Sequence, residues 1–96
     1  MVTFLIASRR EVDLSLLSSA LRGPKAEVRT VSTRALGGEF AIVARRSPVV
    51  VIVDGDRDAT RAFALGADEV LRAEELTVAA IRRATTRARR WWRRWW

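Results

Sequence analysis

Ser47-Pro48-Val49-Val50-Val51-Ile52-Val53-Asp54-Gly55 is the stretch that decides the fold. Five consecutive β-branched residues, Val49 to Val53, suit a strand covered on both faces, because no position along it has to be polar for water. Pro48 has no N–H to give to a ladder and marks the start of the strand, while Asp54-Gly55 supplies the turn chemistry that ends it. The reading predicts the central strand of a parallel sheet with an Asp at its carboxyl end. That is where open α/β sheets place their ligands and chemistry.

Upstream, Val2 to Ala7 is a short apolar run that reads as a first buried strand. Glu11 to Leu21 follows with Val12, Leu16 and Ser19 or Ala20 at helical spacing and Leu14, Leu17 and Leu21 widening the stripe; Ser8 is the expected N-cap, with Glu11 completing a capping box, and Gly23-Pro24 is the stop. Ala26 to Val31 alternates, Val28 and Thr30 facing one way and Arg29 and Val31 the other, as an edge strand does. Ser32 to Gly38 reads as a loop broken by Gly37-Gly38, and Glu39 to Arg46 as a short helix burying Phe40 and Val43, with Ile42 as a further candidate. Downstream, Arg57 to Leu65 is a helix with Asp56 as N-cap and Gly66 as C-cap, Glu69 to Leu71 is a brief strand, and a last helix runs from Glu74 to at least Arg90. Strict strand–helix alternation implies parallel strands with helices on both faces. The expected fold is a small flavodoxin-like α/β sandwich of about four strands, in the order 2-1-3 followed by the last strand, which pairs directly beside the central one.

Ninety-six residues make one domain, long enough for a single core. The chain has no Cys and no His, which excludes disulfides, thiol or imidazole metal ligands, and imidazole general bases. The opening Met-Val-Thr-Phe-Leu-Ile-Ala-Ser-Arg-Arg has its apolar run before its charges and is too short for a signal core or a membrane span, so a cytoplasmic protein is expected. The net charge of +7 divides unevenly: residues 1–80 hold eleven cations and eleven anions, and the excess is the seven Arg from Arg82 to Arg94. The chain therefore divides into a neutral body, 1–80, and a basic Arg/Trp-rich helical extension, 81–96.

Three stretches give the chain a resemblance to a known family. Glu-Val-Arg-Thr-Val-Ser at 27–32, Ser-Pro-Val-Val-Val-Ile-Val-Asp at 47–54 and Arg-Ala-Phe-Ala-Leu-Gly-Ala-Asp-Glu-Val-Leu at 61–71 resemble the receiver domains of bacterial response regulators. The resemblance spans roughly residues 2–87 and implies two-component signal transduction, with Asp54 at the phosphoacceptor position. A working receiver resembles a metal-assisted phosphoryl-transfer device, in which two acidic residues after the first strand hold Mg²⁺. Here Ser8 and Arg9, followed by Arg10, stand where that acidic pair belongs. Asp54 leads straight into the next helix, leaving no room for the family's third helix and fourth strand or for its Thr/Ser, and Arg72-Ala73 replaces the Lys-Pro pair. The resemblance thus implies a degenerate, shortened pseudo-receiver that is not an enzyme, with no cofactor and no metal.

The other candidates for chemistry are weaker. Asp54, Asp56 and Asp58 start like a calcium loop, but Ala59 and Leu65 stand at its sixth and twelfth positions, where Gly and Glu are needed. Gly37-Gly38 lacks a following Lys-Ser/Thr and reads as a turn, and Ser15, Ser18 and Ser19 have no base beside them. The tail carries more. Ile81, Ala84, Ala88, Trp91 and Trp95 recur at three- and four-residue steps and form one seam, which Trp92 and Trp96 widen. A dimerising or partner-docking helix is the favoured reading. An interfacial membrane anchor, a nucleic-acid contact and a frayed helix end remain open. The expected partner is a second copy or a signalling protein, with a membrane surface second and nucleic acid last.

Overall fold

The computed structural model describes residues 2–21 and 26–95, the last three by backbone alone. In chain order the elements are β1 (Val2–Ala7), α1 (Leu14–Ala20), β2 (Ala26–Thr30), α2 (Leu36–Val43), β3 (Val49–Val53), α3 (Asp56–Leu65), β4 (Glu69–Arg72), a single 3₁₀ turn (Ala73–Glu75) and α4 (Val78–Trp95). All strand pairs are parallel and the order is β2-β1-β3-β4, so the flavodoxin-like α/β sandwich and the pairing of β4 beside β3 are as expected.

The β-branched run explains the layering. Every residue of β3 is buried, Val50 and Ile52 facing one core and Val49, Val51 and Val53 the other. Phe4 and Ile6 of β1, Leu17 and Ala20 of α1, and Ile81, Ala84 and Ala88 of α4 complete the first core. The second takes Leu5, Leu36, Phe40, Val43 and Ala62, which come from β1, α2 and α3. At the start of the sheet, the buried hydroxyls of Thr3 and Ser47 satisfy each other at 2.6 Å, and Pro48 accepts the Thr3 N–H at 2.9 Å.

Helix ends differ from the sequence expectation, and tertiary contacts explain most of the differences. The first helix starts at Leu14, where Asp13 caps it by accepting the Ser15 N–H at 3.0 Å; Ser8 is engaged elsewhere and does not cap it. Helix α2 absorbs Gly37-Gly38 into its first turn, because Leu36, Phe40 and Val43 share a buried stripe whose burial outweighs the glycines' helix cost. Gly55 precedes α3 and Asp56 is its first residue, while Gly66 ends it in the left-handed conformation at φ 102° as expected. The last helix begins at Val78, after the 3₁₀ turn. Gly23-Pro24, Trp96 and the side chain of Trp95 lie outside the described residues.

Candidate functional site

Strands β1 and β3 pair with Ala7 beside Val53, so the next residues, Ser8 and Asp54, emerge together at the carboxyl edge of the sheet. The Ser8 hydroxyl donates to Asp54 Oδ1, the Arg9 N–H donates to Oδ2 at 2.7 Å, and the Arg10 N–H donates to Ser8 Oγ at 3.0 Å. The Arg9 N–H, then the Ser8 hydroxyl, hold the Asp54 carboxyl below its ordinary value; burial opposes them, and the nearby Arg10 charge adds to the lowering. Asp54 is therefore an ionised carboxylate with both oxygens accepting hydrogen bonds from the loop after β1. The arrangement works as a clasp: it closes the β1–α1 loop onto the end of β3. Attack on a phosphoryl group would require an oxygen to shed a donor, with arginines rather than carboxylates alongside.

The neighbouring charges are used within the fold. Arg72 pairs with Asp56 and lies 3.8 Å from Glu75, so the cation at the end of β4 faces the start of α3. Among the described residues no three acidic side chains converge where a metal ion could sit. Arg29 bridges Glu27 at 2.9 Å and Glu39 at 3.2 Å, tying β2 to α2.

The tail divides in two. Ile81, Ala84 and Ala88 are fully buried against the sheet and α1, so three of the five residues of the expected docking seam are consumed by the chain's own core. The core thus reaches past the neutral body of residues 1–80 into the basic extension: the short crossover after β4 brings α4 back over the sheet, and its small residues let it pack closely. Arg87 meets Glu69 of β4 at 3.6 Å, and Arg82 Nε donates to the Ala20 carbonyl at 3.3 Å. Trp91 is 45% exposed and Trp92 is half-buried.

The sequence did not mark Phe63 as part of a site. Phe63 is 57% exposed, the most exposed of the large apolar side chains among the described residues. It lines a groove of about 520 Å³ with Ala44, Ala67, Asp68, Trp91 and Trp92, and a second of about 300 Å³ that follows β4 past Val70, Leu71 and Ala80. Asp68, in the wall of the first groove, accepts the Val49 N–H at 2.8 Å, with burial raising its carboxyl above the ordinary value. Helical spacing gave no signal for the exposure of Phe63, since it stands four residues after Ala59, which packs against the core. Compared with protein families, curated proteins and solved structures, the chain matches none.

Proposed function

We propose that the chain is a phosphorylation-independent, receiver-like signalling module that works by self-association through its β4 side. The observation that carries this reading is Phe63, which stands exposed beside the outermost strand where a mainly apolar groove meets a second one that Arg72 and Glu75 also line. An exposed aromatic continuous with an apolar groove is the form of a protein interface, where buried aromatic anchors supply most of the binding energy. The clasped Asp54 supports the non-catalytic part of the reading, since its oxygens serve loop closure. Half-exposed Trp91, on the same groove, extends the contact to the last turns of α4.

Measuring molecular mass in solution with and without Mg²⁺ and beryllofluoride tests both parts. The mass is that of a dimer in either condition, and it falls to a monomer in Phe63→Asp. A dimer that forms only with the phosphoryl mimic, or an adduct on Asp54, refutes the proposal. A second reading, contact with an anionic lipid surface, is supported by exposed Arg89 and Arg90 beside Trp91. It ranks below the first because Ile81, Ala84 and Ala88 are buried in the chain's own core and so are not available to insert. No helix among the described residues is long and apolar enough to cross a membrane.

A further inference from the structure

The open edge of β4 has a self-complementary pattern. Asp68 donates its N–H to the Val49 carbonyl at 3.0 Å, and the β3–β4 ladder continues in parallel register from Val50↔Glu69 to Val53↔Arg72. Peptide groups along such a strand alternate between its two sides, so 68, 70 and 72 address β3 while Glu69 and Leu71 direct N–H and C=O outward. Side chains alternate in the other sense: Val70 packs in the core of α2 and α3, and Leu71 packs in that of α1 and α4. Arg72, which pairs with Asp56 of α3, and Asp68, in the groove beside Phe63, share the Val70 face.

We infer that β4 pairs antiparallel with β4 of a second copy about a two-fold axis at Val70, joining two four-stranded sheets into one. The inference rests on the self-association reading above and specifies its geometry. A two-fold normal to the sheet keeps like faces together, so opposed residue numbers must sum to an even value. Centring the axis on Val70 opposes Glu69 to Leu71, and both have outward peptide groups, so they exchange hydrogen bonds on each side of the axis. It also sets Asp68 opposite the second copy's Arg72, anion against cation, on the face that carries Phe63. Centring on Leu71 instead sets Glu69 against Ala73, where the chain has already entered the 3₁₀ turn.

The other sheet edge does not offer this closure. Pairing β4 with β2 of another copy is head-to-tail and propagates without end, whereas β4 with β4 closes as a dimer. Charges from Glu27 and Arg29 also guard β2. Arginines on the two α4 helices repel across the axis, but Arg87 is already paired with Glu69 and exposed charges are screened beyond about 10 Å at ordinary salt.

The chain has no cysteine, so Val70→Cys introduces a single thiol at the axis. Directly opposed residues of a non-hydrogen-bonded antiparallel pair have Cα atoms about 4.5 Å apart, within reach of a disulfide, while Glu69→Cys thiols fall on a diagonal of about 7–8 Å and are out of reach. Under mild oxidation Val70→Cys gives a covalent dimer at least about tenfold faster than Glu69→Cys, both variants first being checked for native circular dichroism. In the unmodified chain the Glu69 and Leu71 amides gain exchange protection as concentration rises. A Phe63-dependent dimer in which Val70→Cys links no faster than Glu69→Cys, and in which those amides stay unprotected, overturns the strand pairing while leaving self-association standing. A chain that stays monomeric overturns both.

Discussion

Replacing Ile81 by Ala should strongly destabilise the domain, although Ile81 lies in the segment that composition assigns to a basic tail. Its side chain is wholly buried between α1 and the sheet. Losing three buried carbons costs about 2.4 kcal/mol at about 0.8 kcal/mol each. A residual cavity of about 40–50 Å³ adds about 1 kcal/mol at about 24 cal/mol per Å³, because β1 and β3 cannot move in to fill it. The total of about 3.5 kcal/mol compares with about 5–14 kcal/mol expected for the stability of a chain of this length. At about 4–8 °C per kcal/mol, Tm falls by about 14–28 °C. Thermal melts followed by circular dichroism measure this, with Arg90→Ala as a control on the outer face of the same helix, where the change stays within about 0.5 kcal/mol. An Ile81→Ala shift of under about 3 °C would refute the assignment of α4 to the core.

Two more outcomes follow from local geometry. Gly38→Ala should raise stability by about 0.5–1 kcal/mol in urea unfolding, because the position is helical and nothing lies within 4 Å of the added methyl; a loss would contradict the placement of Gly37-Gly38 inside α2. Asp54→Asn should cost about 1 kcal/mol at neutral pH by weakening the clasp on the β1–α1 loop. With the folded pKa below the ordinary 3.8, the clasp's contribution is complete above 3.8 and disappears as pH falls through the folded value, so the variant loses less stability than the parent in that acid range. Asp68 has the opposite sign, its raised pKa favouring the folded state less as pH climbs from 3.8 through the folded value. If Asp54→Asn has the parent's acid slope, Asp54 is not the clasp.

Elements held by an unbroken physical signal were legible in the sequence. Val49 to Val53 can only be satisfied with cover on both faces, and short crossovers leave few ways to arrange the other strands, so the sheet order followed. Helix starts were not legible, because a cap is settled by competition: the Ser8 hydroxyl that suits a capping box finds Asp54 across the sheet, and Asp13 takes the cap. The seam of Ile81, Ala84 and Ala88 was visible as a seam. Periodicity cannot say whether its partner is another chain or the chain's own sheet, and here burial decides for the sheet. Asp54 was found as a strand-ending carboxylate, but the two donors that occupy it come from a loop forty-five residues away in sequence. Phe63 lies within the stretch that reads as a helix, and nothing in its spacing shows that it stands exposed.

Sedimentation equilibrium of the intact chain beside Phe63→Asp, over a concentration series at moderate salt, tests the central claim of self-association through the β4 side most directly. The intact chain should sediment as a dimer at about 100 µM and dissociate on dilution, while Phe63→Asp sediments as a monomer with unchanged circular dichroism, as expected for the loss of an exposed aromatic anchor. An intact chain that remains monomeric at that concentration, or a Phe63→Asp variant that dimerises equally well, would contradict the account.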